Sequence, residues 1–192
     1  MSRLQARYDA IGDFSADFAH SYAGGVLQAA DVERGTVHVK KPGRWRFDYT
    51  HPEIKRFISD GRTVVSYFPA DRQAIVSDLP PDGGPATPAS FLAGDGDLTR
   101  DFHARYVSGA PADTGWVVEL IPRVADADYE TLTLAIDAAD LAIRRMSAVD
   151  LQGGVSTYIF SNLQQNQGIA DRFFEFDAPR GVEVVTDESW AR

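Results

Sequence analysis

Between Arg44 and Tyr49 the chain alternates without interruption, Trp45, Phe47 and Tyr49 against Arg44, Arg46 and Asp48. Successive side chains of a strand point to opposite faces, so the aromatics share one face and the charges the other. The Lys41-Pro42-Gly43 before this run cannot continue a ladder. Proline lacks the N–H, and glycine tolerates turn dihedrals. The expected unit is a hairpin of Gly35–Lys40 and Arg44–Tyr49. A sheet with one charged, solvated face needs apolar cover on the other.

Strand signals with short turns extend on both sides of this hairpin. Val26–Val32, Thr36–Lys40, Arg44–Tyr49, Lys55–Ser59, Thr63–Phe68 and Gln73–Leu79 read as consecutive strands, with Asp60-Gly61 a strong hairpin turn. A second block comprises Trp116–Ile121, Thr131–Asp137, Leu141–Asp150, Val155–Leu163, Phe173–Phe176 and Val182–Val185. The total of about eleven strands is more than an open, strongly twisted sheet usually carries without curling. Upstream, Leu4, Tyr8, Ile11, Phe14, Phe18 and Tyr22 recur by fours and threes and Gly24-Gly25 follows. That spacing predicts an amphipathic helix of about five turns, either outside the sheet or plugging its concave side. Between the blocks, Pro80–Pro88 breaks the pattern, and Ala89–Val107 reads as short helices bearing Phe91, Leu92, Leu98, Phe102 and Tyr106. An insertion at about 86–107 is either a lid or a surface excursion.

Composition narrows the function. A net charge of −9 and a pI near 4.8 argue against nucleic acid or an anionic lipid surface as the main partner. With no cysteine there is no disulfide, thiolate metal site or cysteine nucleophile. His20, His38, His51 and His103 lack metal-ligand spacing, and no Gly-x-Ser-x-Gly elbow or Gly-Lys-Ser/Thr phosphate loop occurs. No metal, cofactor or catalytic cluster is expected. No apolar run approaches the ~18 residues of a membrane helix. Any export signal is expected to be absent from this chain. What is abundant is apolar strand surface, including Tyr67, Ile75, Trp116, Leu134 and Ile136 beside the central aromatics. It forms either a dry core or the wall of a ligand cavity.

The ordered motifs Gly35-x-Val37-x-Val39-Lys40-Lys41-Pro42, Trp45-x-Phe47-x-Tyr49, Ser59-Asp60-Gly61 and Tyr67-x-Pro69 resemble the LolA family. So do Pro88-x-x-Phe91-Leu92 and Phe174-x-Phe176-x-x-Pro179-x-Gly181-Val182, and the resemblance runs from about Leu4 to Val185. It implies a single domain over residues 1–192, mainly β with α. The implied fold is an incomplete, unclosed antiparallel barrel of about eleven strands with helices covering the concave side. The implied function is a periplasmic, monomeric carrier of acylated lipoproteins, from an inner-membrane LolCDE-type ABC transporter to a LolB-type outer-membrane receptor. A LolB-like or other lipid-binding module on the same scaffold is the alternative. On this resemblance Phe14, Phe18, Trp45, Phe47, Tyr49, Tyr67, Ile75, Phe91, Leu92, Trp116, Leu134 and Ile136 line the acyl-chain cavity. Lys41, where the family commonly has Arg, is the expected lid latch, with one flexible charge in place of a planar fork of donors.

Overall fold

The computed structural model describes residues 2–24, 32–79, 98–107, 115–124 and 129–187. One α-helix, α1 (Ser2–Asp9), precedes strand β1 (Asp13–Ala23). Five strands follow: β2 (Glu33–Lys40), β3 (Arg44–His51), β4 (Lys55–Asp60), β5 (Thr63–Phe68) and β6 (Gln73–Asp78). The second block is β7 (Phe102–Tyr106), β8 (Trp116–Pro122), β9 (Thr131–Ile136), β10 (Ile143–Val149) and β11 (Val155–Gln165). A 3-10 helix (Asp171–Phe174) and β12 (Glu183–Asp187) end the described chain.

These twelve strands form one sheet, ordered β12-β6-β5-β4-β3-β2-β1-β11-β10-β9-β8-β7. Two antiparallel meanders are joined where β1 pairs with β11, and β12 adds to β6 in parallel. The ends β12 and β7 do not meet, so the sheet is unclosed. The predicted mainly-β, unclosed architecture is therefore present, with twelve strands where about eleven were expected. The sheet is not antiparallel throughout, since β12 runs parallel to β6, and the described residues hold one α-helix where several helices were expected.

Three expectations need correction. The long N-terminal helix stops at Asp9, and Phe14, Phe18 and Tyr22 belong to β1. Steps of four fit a period of two as well as one near 3.6, and the burial of Phe14, Ala16 and Phe18 shows which period holds. Residues 102–106, read as helix, are the edge strand β7, and Phe173-Phe174 lies in the 3-10 helix instead of a strand. The remainder of the expected insertion, residues 86–97, and most of the expected strand Val26–Val32 lie outside the described residues.

Cross-strand pairing fixes the faces. Val37 opposes Phe47, Val39 opposes Trp45 and Gly35 opposes Tyr49. Phe14 and Ala16 oppose Val39 and Val37, and Phe18 opposes both Gly35 and Phe160. Met146 and Leu134 continue the same face through β10 and β9. A Cβ on Gly35 would lie 2.9 Å from the Phe18 ring and 2.1 Å from the Asp48 carbonyl oxygen, so only glycine lets that ring lie on β2.

The opposite face is not simply solvated. The C-terminal segment crosses it, and Phe174, 1% exposed, lies with Ile58, Val65 and Val76 around a pocket of about 330 Å³. Arg46 donates to the Phe173 carbonyl at 3.2 Å, and its guanidinium carbon lies 4.5 Å from the Phe173 ring centroid. Arg46 and Arg56 both hydrogen-bond Asp48, so the charges form a partly covered network. Truncating Phe174 to Ala is expected to cost about 3–5 kcal/mol, since the ring is fully buried and leaves a cavity. Urea titration of the variant checks this; a loss below about 1 kcal/mol would mean that the strap adds little to the fold.

Candidate functional site

The buried face of the curl carries a continuous aromatic seam. Phe18 meets Phe47 at 5.5 Å and Tyr49 at 4.8 Å between ring centroids, edge to face. Trp45 and Tyr158 flank Phe47 at 6.0 and 5.9 Å. Such contacts set one ring's positive edge against another's negative face, adding about 0.5–1.5 kcal/mol each beyond burial. Leu132, Leu134, Ile136, Met146 and Val118 carry the apolar wall across the second meander.

Most of the sequence-predicted lining comes together here. Phe14, Phe18, Trp45, Phe47, Tyr49, Leu134 and Ile136 are buried on this face in one cluster. Ile75 opposes Ser66 on the same face, half-buried near the β12 edge. Trp116 opposes Ile136 but stands 42% exposed, at the rim. Tyr67 is the exception. It opposes Arg56, on the other face, and its ring lies 5.1 Å from that of Phe176. The single-residue parity of β5 places it there, since Val64 and Ser66 take the inner positions. Phe91 and Leu92 lie outside the described residues.

The helix α1 sits on this face with Leu4 and Tyr8 buried. Beneath it Ile11, Phe14, Leu141, Ala142, Ile143, Phe160 and Leu163 line an apolar cleft of about 40 Å³. That holds a few waters at most, against the ~300–1,000 Å³ of an ordinary ligand pocket. The helix closes this part of the groove, and beside it a pocket of about 260 Å³ stays open, lined by Leu4, Trp116, Val118, Ile136 and Leu141. Lys41 Nζ donates to the Tyr8 carbonyl at 2.7 Å and lies 3.2 Å from the Tyr8 ring centroid. A cation at a helix C-terminus satisfies carbonyls that lack intrahelical partners and complements the dipole. Arg7, also on α1, donates to the Asp140 carbonyl at 3.3 Å and to Gln165 Oε1.

Sequence reasoning left Leu4, Tyr8, Phe160 and Leu163 out of the site. The alternation of Tyr158 and Phe160 in β11 was a usable signal, whereas nothing in one sequence placed Leu4 over β10 and β11.

At the other end of the wall sits a polar knot. His20 stacks on Tyr158 with centroids 4.2 Å apart, Nδ1 3.0 Å from Glu33 Oε2 and Nε2 2.8 Å from Ser156 Oγ. Lys55 Nζ pairs with Glu33 Oε1 at 2.5 Å, and the Tyr49 and Tyr158 hydroxyls are 3.2 Å apart. Burial pushes the His20 pKa below its ordinary value, outweighing the opposing pull of Glu33. Burial opposes Glu33 ionisation too, but hydrogen bonds from Lys55 and His20 outweigh it and hold that carboxyl low. Burial raises the pKa of both tyrosines. Among the described residues no three His, Cys, Asp or Glu side chains converge as a metal site. No helix there is long and apolar enough to cross a membrane.

The fold has known counterparts. It superposes on an uncharacterized conserved protein from Thermus thermophilus with a TM-score of 0.61, at 12% identity over 97% of this chain and 98% of that one. A LolA superfamily protein from Nitrosomonas europaea matches with a TM-score of 0.50, at 16% identity over 91% of this chain and 97% of that one. Sequence is decisive: residues 10–177 match the family model described as outer membrane lipoprotein carrier protein LolA. The chain belongs to the LolA family. A relative from Nitrosomonas europaea named outer-membrane lipoprotein carrier protein is 29% identical over 91% of this chain and 82% of its own length. Within this LolA-family chain the helix-closed groove and the polar knot occupy opposite ends of one wall.

The knot predicts a pH dependence. A histidine with a lowered folded pKa binds its proton more readily when unfolded, so its contribution to stability is present above about pH 6.5. It is lost as pH falls through the folded value. Glu33 and Asp48, with lowered carboxyl pKa values, add a second loss below about pH 4.5. Urea midpoints are expected to fall between pH 7 and 5, with a smaller fall in His20→Asn. Equal slopes in the two proteins would remove His20 from this role.

Proposed function

We propose that this chain is a periplasmic carrier that binds the acyl chains of lipoproteins on the buried face of its curled sheet. The observation that carries the proposal is the apolar groove closed by α1. Its wall is lined by Phe14, Ile143, Phe160 and Leu163, and its closure is made by two apolar side chains and two cationic ones. On this reading α1 is the stand-in for cargo. Family membership supports the lipoprotein as cargo, taken from an inner-membrane LolCDE-type transporter and delivered to a LolB-type receptor on the outer membrane.

A carrier must release what it binds. Burying one CH₂ is worth roughly 0.8 kcal/mol, so one long acyl chain fully buried approaches about 12 kcal/mol. Three such chains would exceed the practical ceiling of roughly 18–21 kcal/mol. Closure of α1 offsets part of this. Burial of Leu4 and Tyr8 contributes about 1.5–3 kcal/mol apiece, all lost when cargo displaces the helix. Competition between helix and cargo for one wall keeps affinity in a reversible range. The net charge of −9 keeps the loaded carrier off anionic membrane surfaces between its two docking events.

Ile143→Glu tests the groove. The position is half-buried, so the fold tolerates the change, but the carboxylate would have to be desolvated to meet an acyl chain. The expected result is a folded protein whose affinity for a fluorescent palmitate and for an acylated lipoprotein falls by more than about tenfold. Equal binding by wild type and variant would place the cargo elsewhere. A wild type that binds neither ligand would overturn the carrier reading.

A further inference from the structure

Residues 10–12 join α1 to β1 without regular structure, and two distant parts of the chain, Lys41 and Asn166, converge on them. The Lys41 N–H donates to the Gly12 carbonyl at 2.8 Å, and the Gly12 N–H donates to Asn166 Oδ1 at 2.8 Å. Asn166 also donates from Nδ2 to the Ala10 carbonyl at 3.1 Å, and from its backbone N–H to the Asp13 carbonyl at 2.8 Å. The Asp13 carboxylate, 7% exposed, accepts the N–H groups of Gln167, Gly168 and Ile169 at 2.7, 2.9 and 3.3 Å.

This elbow joins the two sides of the sheet. Lys41 Nζ grips the Tyr8 carbonyl of α1 on the inner face, while Lys40 Nζ grips the Ile169 carbonyl of the C-terminal segment, 2.7 Å in each case. Adjacent residues of a strand point to opposite faces, so one strand end holds the helix and the strap together. Beyond Asn166 that strap runs on to the buried Phe174. Asn166 itself has φ +56°, a left-handed conformation that asparagine adopts more readily than other non-glycine residues.

We infer that Asn166 is a positioning residue for cargo exchange: from the C-terminal segment it locks the elbow on which α1 must turn for the groove to open. The inference rests on the reading of that groove as the acyl-chain site. The side-chain hydrogen bonds of Asn166 to Gly12 and Ala10 both end on the elbow. Their loss frees the turn without altering the surface that meets cargo.

Asn166→Gly isolates the role, because glycine keeps the left-handed backbone and removes only the side chain. Two readouts apply: amide hydrogen exchange resolved along the chain, and the rate at which excess fluorescent palmitate loads the apo protein. The bonds are solvent-exposed, so each is worth little, and the expected effect is about a three- to tenfold acceleration of both α1 exchange and loading. Amides of β2–β5 exchange as in wild type. Asn166→Asp, which keeps the acceptor for Gly12 but not the donor to Ala10, falls between the two. Unchanged α1 exchange and loading in Asn166→Gly would overturn the inference. So would acceleration spread evenly over the sheet, the mark of a general structural role. A wild type that never takes up palmitate overturns the carrier reading first, and is seen before any variant is made.

Discussion

Everything in this architecture depends on the pairing of β1 with β11. Each meander alone is an open sheet with one apolar face and two bare edges. The ladder from Phe14–Gln165 to Ala23–Val155 fuses them into one surface long enough to curl. It also sets Phe18 between Phe160 on one side and Gly35 on the other, so the aromatic seam crosses from one meander to the other. The ladder carries a register shift between Ser15 and Asp17, and a bulge of this kind sharpens the local twist. Curling buries one face without closing the sheet, because β12 and β7 remain separate edges.

A wall so formed must be covered by something. In this structure the cover near Phe14 and Phe160 is a helix of 8 residues, too short to be stable in isolation. Its order derives from what it touches, through two buried side chains and hydrogen bonds that involve Lys41, Arg7 and Gln5. An element held by few contacts opens at lower free energy than the sheet beneath it. The carrier function follows from that difference in local stability. On the proposed reading the apolar wall is the fixed part, the helix is the replaceable cover, and an acyl chain would take its place.

The β3 alternation stated its strand, its faces and its partner hairpin outright, and the inner aromatics Trp45, Phe47 and Tyr49 are where it put them. Lys41 was singled out through the family's motif, and the structure ties it to a helix carbonyl. The sequence misled where one spacing satisfied two periods: Phe14, Phe18 and Tyr22 read as a helix stripe and form a strand. Tyr67 was misplaced for a different reason. Both faces of β5 carry apolar residues, Val64 and Phe68 inside against Val65 and Tyr67 outside, so alternation gave no direction. The strap over the outer face was invisible because its anchors, Asp13 with the amides of 167–169 and Arg46 with Phe173, join residues far apart in the chain.

The central claim is that α1 must leave the wall for cargo to bind. Arg7 on the helix and Gln165 on β11 already touch through their side chains, and the chain has no cysteine of its own. Cysteines at these two positions, joined by a short reducible cross-link, would pin the helix in place. Uptake of fluorescent palmitate should be abolished while the link is intact and return to the unlinked level on reduction. A linked protein that loads palmitate as fast and as fully as the reduced one would contradict the account.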